Sequence, residues 1–139
     1  MGVISKHKDK ITFYYNSETS LGERTLPYIK AADKDLLAID ISKTQVTGTQ
    51  WSEIADGLGL KVADLIDKNH KQFMADHGDS SIDMNTNSWI KVLQNQPETL
   101  AFSIVVTGAT FHAIKSPGEF VKFISYDSAQ INQNSNEAQ

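Results

Sequence analysis

The chain of 139 residues contains no cysteine. That absence excludes disulfides, thiolate metal sites and cysteine nucleophiles. No apolar run approaches the roughly 20 residues that a membrane-spanning helix needs. The first ten residues are mostly polar, carry Lys6, Lys8 and Lys10, and lack the apolar core of a secretory signal. Interrupted by Asp9, this short basic cluster reads as a solvated terminus rather than a binding arm. There is no basic stripe, and the net charge is −4 with a pI near 5.5, which argues against direct nucleic-acid contact. Internal repeats and inter-domain linkers are also missing. A soluble cytoplasmic protein is expected, with no membrane and no cofactor. A protein or a small ligand remains open as its partner.

With 40% apolar and 22% charged residues, the chain has ordinary globular usage and the length for one sizeable core. Lys10 to Tyr15 (KITFYY) is β-branched and aromatic and reads as a strand. Asn16 to Ser20 is a polar turn offering helix caps. Leu26, Ile29 and Ala32 predict a helix over Arg24 to Ala32. Leu36 to Ile41 (LLAIDI), nearly apolar throughout, reads as a central strand. Thr49 is the expected cap of a helix running to Leu58, with Trp51, Ile54 and Leu58 on one face and Gly57 and Gly59 breaking it. Val62, Leu65, Ile66, Phe73 and Met74 predict one amphipathic helix closed by Gly78. Asp79 to Asn87 is a polar loop, and Trp89, Val92 and Leu93 begin a helix that stops before Pro97. Ser103 to Val106 and Thr110 to Ile114 flank Gly108-Ala109 as a β-hairpin. Pro117 opens a last helix burying Phe120, Val121 and Ile124. The stretch 127–139, rich in Asn, Gln and Ser, is expected to be a disordered tail. The order is βαβ, a helical insertion over about 44–100, then ββα, all within one domain of residues 1–126.

That order is the thioredoxin arrangement, an α/β (α+β sandwich) fold with helices inserted between its halves. Four segments carry a closer resemblance, to the arsenate reductase and Spx group (ArsC-like) of thioredoxin-fold proteins. Tyr15-Asn16-Ser17-Glu18-Thr19-Ser20 with Thr25-Leu26 resembles the family's strand-loop-helix, Tyr-His-Asn-Pro-x-Cys-x then Thr-Leu. Gly59 to Asn69 is similar to the middle helix. Gln96-Pro97 through Ile104-Val105-Val106 is similar to the stretch from Asn-Pro to Arg-Pro-Ile-Val-Val. Pro117-Gly118-Glu119 resembles the opening of the last helix. The resemblance implies a glutaredoxin-dependent arsenate reductase with a thiolate at the start of the first helix. There the dipole and free N–H groups favour an anion. Here that position aligns with Thr19, whose hydroxyl cannot cycle through a disulfide. The family's oxyanion-holding arginines align with Asp67, Phe102 and Ser116, and its cis-proline aligns with Ser103. A non-proline cis bond costs about 3 kcal/mol, so a trans peptide is expected.

Glu18 and Glu23 together with Asp67 would make the old site acidic. One charge at about 4 Å is worth roughly 1–4 kcal/mol, so the replaced arginines would cost an oxyanion several kcal/mol. Asn16, Ser17, Glu18, Thr19 and Ser20 remain as a candidate binding loop with no catalytic group. Three functions fit: a non-catalytic module binding a protein or small ligand, an Spx-like transcription partner that binds RNA polymerase, or an enzyme with repurposed chemistry at Thr19, a carboxylate or His70. For Thr19 a helix cap competes with a nucleophile. His70 and His77, seven apart with Asp67 and Asp79 in reach, suggest zinc or a solvated face. His112 reads as structural or exposed, and Trp51 and Trp89 as core anchors. Tyr14 and Tyr15 should face opposite sides of the sheet. Phe102 either fills the lost cavity or makes it apolar.

Overall fold

The structure, a computed structural model, describes residues 11–32, 36–78 and 81–123. The lysine cluster, His7, Asp79, Ile124 and the stretch 127–139 lie outside them. Strand β1 (Ile11–Tyr15) leads to helix α1 (Ser20–Ala31) and strand β2 (Leu36–Asp40). Helix α2 (Gly48–Leu58), a 3-10 turn (Val62–Leu65), α3 (Lys71–His77), α4 (Thr86–Asn95) and a second 3-10 turn (Pro97–Thr99) follow. The hairpin β3 (Ser103–Thr107) and β4 (Thr110–Ile114) comes next. A last helix, α5, occupies 117–123 up to the edge of the described residues.

The four strands lie in the order β2-β1-β3-β4. β1 pairs parallel with β2 and antiparallel with β3, and β3 and β4 are antiparallel. Alternation along β1 sorts its side chains into two cores. Ile11, Phe13 and Tyr15 join Val105, Ile114, Phe120 and the α1 residues Leu26 and Ile29 on one face. Tyr14 joins Ile104, Val106, Trp51, Ile54, Leu65, Phe73, Trp89 and Leu93 on the other. The sheet is thus covered by α1 and α5 on one side and by the helices between β2 and β3 on the other. Tyr14 and Tyr15 do face opposite sides, and both tryptophans are core anchors.

Several boundaries differ from the sequence expectation, and side-chain hydrogen bonds explain them. α1 starts at Ser20 rather than Arg24, because Thr19 already caps it. Pro27 lies inside this helix on its exposed side, where the missing N–H leaves one helical carbonyl to water. Thr47, not Thr49, caps α2: its hydroxyl accepts the Gln50 N–H at 3.1 Å, and the Gln50 side chain accepts the Thr47 N–H at 3.0 Å. Gly57 stays helical, and only Gly59, at φ 73°, ends α2.

The single helix expected over Val62 to Met74 is broken. Asp67 Oδ1 accepts the Asn69 N–H at 3.0 Å and His70 Nδ1 accepts the Gln72 N–H at 3.0 Å. Such local bonds compete with the helical ladder. The backbone between the 3-10 turn and α3 is instead stitched to the strand side. Asp67 N–H donates to the Thr99 carbonyl at 2.7 Å, and Ala101 N–H donates to Leu65 at 2.8 Å. His70 therefore caps α3 and His77 ends it. α4 begins at Thr86 behind its cap Asn85, earlier than Trp89.

Candidate functional site

The site starts where β1 runs out. Asn16 is 4% exposed. Its side-chain oxygen accepts the Glu18 N–H at 2.8 Å, and its carbonyl accepts both the Thr19 N–H at 3.1 Å and the Thr19 hydroxyl at 2.9 Å. Thr19 Oγ1 in turn accepts the Gly22 N–H at 3.1 Å. The loop is thereby wound into the opening turn of α1, with Thr19 as N-cap. Gly22 makes the close seating possible: a Cβ there would lie 1.7 Å from the Asn16 carbonyl oxygen.

Two further segments close around this turn. One carries Asp67 and His70, held by the stitch to Thr99 and Ala101. The other runs from Glu98 to Ser103, entering β3. Together the three enclose a cavity of about 520 Å³. Its lining brings Asn16, Glu18, Thr19, Ser20, Asp67, Phe102 and Ser103 into one place. Phe102 is buried in the core and also forms part of the wall. No cis peptide occurs among the described residues, so the Phe102–Ser103 bond is trans.

Two candidate residues stand elsewhere. The Ser17 N–H donates to Asp40 Oδ1 at 3.1 Å, and its hydroxyl lies 3.4 Å from that of Ser42. Ser116 caps the last helix, its hydroxyl accepting the Glu119 N–H at 3.2 Å. Neither lines the cavity, nor does Glu23. The sequence reading missed Glu98 and the placement of His70. Nothing local predicts either, because both depend on the pairing of Ile66 with Leu100. The negative charge comes from Glu18, Asp67 and Glu98, with no lysine or arginine in the lining.

Local hydrogen bonds engage two of the side chains in this arrangement. The Thr19 proton goes to a backbone carbonyl, which cannot act as a base, and its lone pair serves the Gly22 amide. His70 shares the cavity, but its Nδ1 is committed to the α3 cap. Among the described residues no group of three His, Asp or Glu side chains could hold a metal ion. His112 lies instead on edge strand β4, its ring 4.7 Å from that of Phe123, and burial pushes its pKa down.

Solved structures with this sheet and helix arrangement include a candidate arsenate reductase from Yersinia pestis, at TM-score 0.66 and 15% identity, covering 81% of this chain and 98% of that one. The chain has the arsenate reductase fold. An arsenate reductase from Vibrio cholerae matches with TM-score 0.63 and 16% identity over 86% of this chain and 98% of that one. An arsenate reductase (ArsC) related protein from Brucella melitensis matches with TM-score 0.57 and 11% identity over 88% and 97%. No protein-family model matches the sequence, and no curated protein matches it. Within this thioredoxin-like fold the opening turn of α1, which the resemblance gives to a cysteine, is held by Thr19. Among the described residues no helix is long and apolar enough to cross a membrane.

Proposed function

We propose that this protein is a cysteine-less relative of the arsenate reductases that binds a ligand or a partner's side chain in the old reductase pocket and carries out no thiol chemistry. One observation carries the reading: Thr19 stands at the first turn of α1, beside an open cavity, with its hydroxyl used up as a helix cap. A hydroxyl cannot exchange with a disulfide, and the lining has no arginine to hold arsenate. The cavity is nevertheless not filled: about 520 Å³ remains where Phe102 could have closed it, and pockets of this size suit small molecules.

The test is an arsenate reduction assay with glutathione and glutaredoxin, run beside a ligand screen read by amide chemical shifts. Arsenite should not form, and a bound ligand should move the amides of Thr19, Ser20 and Ser103. Arsenite formation above the buffer rate would end the reading.

A further inference from the structure

Two buried side chains of the cavity keep donors that the protein leaves unused. Ser103 is 4% exposed, and its hydroxyl has no hydrogen-bond partner among the described residues. By alternation with Val105 it lies on the α1 face of the sheet and lines the cavity there. Asn16 is equally buried. Its Oδ1 takes the Glu18 N–H, while its Nδ2 donates to no group among the described residues. Among the described residues the fully buried side-chain atoms without a partner are Thr12 Oγ1, Trp51 Nε1 and Glu53 Oε1; the Ser103 and Asn16 donors instead open onto the cavity, where an acceptor from outside the chain can take the place of water.

The surrounding charge has one sign. Asp67 spends one oxygen on the Asn69 amide, and the carboxylates of Glu18 and Glu98 accept nothing among the described residues. Lys115 Nζ lies 6.0 Å from the centre of the Phe102 ring but does not belong to the lining. Three carboxylates around a half-enclosed space repel an oxyanion and favour a cation.

We propose that the cavity binds an organic cation: an ammonium or guanidinium group held among Glu18, Asp67 and Glu98, on a ligand whose carbonyl or hydroxyl oxygen accepts from Asn16 Nδ2 and Ser103 Oγ. The proposal rests on the binding role given above and names its ligand class. Phe102 supplies an aromatic wall suited to an alkyl stem or a cation. Two sources share this chemistry, a free amine such as an amino-acid derivative and a lysine or arginine side chain of a partner peptide with its backbone carbonyl.

The experiment titrates the isotope-labelled full chain with arginine amide, guanidinium, a blocked arginine tripeptide and inorganic phosphate. Arginine amide or the tripeptide should give saturable shifts at Thr19, Ser20, Asp67, Glu98 and Ser103, weakening as salt is added. Tighter binding of arginine amide identifies a free amine as the source, and tighter binding of the tripeptide identifies a partner side chain. The double variant Glu18→Gln/Glu98→Gln should lose about tenfold or more in affinity. Ser103→Ala removes a hydroxyl that holds nothing in the protein, so it should fold normally. It should bind arginine amide less tightly and guanidinium, which has no acceptor, unchanged. Absence of saturable shifts with every cation, or equal affinity in the carboxamide variant, overturns the proposal. Phosphate moving the same amides while the cations do not would overturn it and leave the pocket as a binding site. Arsenite formation in the reductase assay would remove both.

Discussion

The ring of Phe111 on β4 fills the space that a side chain on Gly57 of α2 would need: a Cβ at position 57 would lie 2.2 Å from the Phe111 Cδ1. The helix therefore lies against the sheet at a distance only glycine allows. On a free helix, Gly57→Ala would gain about 1 kcal/mol of propensity. Here the ring must move, and we expect a net loss of about 1–3 kcal/mol in denaturant unfolding. Pairing it with Phe111→Ala should cost less than the two single changes added together. A more stable Gly57→Ala would show that α2 packs elsewhere.

Position 19 separates the cap from the chemistry. Thr19→Ala should cost about 0.5–2 kcal/mol and Thr19→Ser very little, because a serine hydroxyl keeps the bond to the Gly22 amide. Thr19→Cys restores a thiol but not the arginines. We expect an alkylatable cysteine and still no arsenite with glutathione and glutaredoxin. Turnover by that variant would mean that the carboxylate-lined cavity can hold an oxyanion after all.

Asp40 clasps the end of β2 to the loop after β1. Its Oδ1 accepts the Ser17 and Ser42 amides, each at 3.1 Å, and the Ser42 hydroxyl at 2.7 Å. Burial alone would raise this carboxyl, but the hydrogen bonds from Ser17 and Ser42 outweigh it and hold it below 3.8. A depressed folded value means that the unfolded chain binds the proton first. The stabilisation is present above 3.8 and is lost as pH falls through the folded value. Asp40→Ala should cost about 1–3 kcal/mol at neutral pH, and Asp40→Asn should flatten the acid limb of the stability curve. An unchanged acid limb in Asp40→Asn would count against the clasp.

Tyr14 governs the alkaline side. Burial first, and the nearby Glu53 charge second, push its hydroxyl up to about 12. The unfolded tyrosine ionises near 10, so stability is complete below that pH and falls as pH rises toward 12. The loss is on the order of 2–3 kcal/mol. Tyr14→Phe should remove this dependence, which a series of denaturant melts between these pH values would read. An alkaline limb that persists in Tyr14→Phe would point to another group.

The existence of the strands was the most readable part of the sequence, although β2, expected at the centre, lies at the sheet edge. β-Branched and aromatic residues mark β1 and the β3–β4 hairpin, and Gly108, at φ 58°, marks the turn between the last two. The stripe Val62, Leu65, Ile66, Phe73 and Met74 misled. It looks helical, yet Met74 is 37% exposed and Ile66 pairs with Leu100. Asp67, Asn69 and His70 carry side chains or amides that satisfy the backbone locally and break the ladder. The same break brings Asp67 and His70 to the opening turn of α1. Glu98 arrives through that pairing as well, and no local pattern announces it.

Composition alone determined what this protein cannot do: a chain without cysteine forms no disulfide and offers no thiolate, since that is a matter of covalent content and not of folding. Local pattern determined most of the elements, because helix and strand periods are written in neighbouring residues. Only the tertiary structure decided which polar groups meet. Thr19, Asp67 and the stretch from Glu98 to Ser103 lie far apart in the chain and line one cavity because backbone bonds between the segments at 65–67 and 99–101 hold them there. Those bonds depend on the docking of the helices between β2 and β3 against one face of the sheet, a consequence of the whole core rather than of any single stretch.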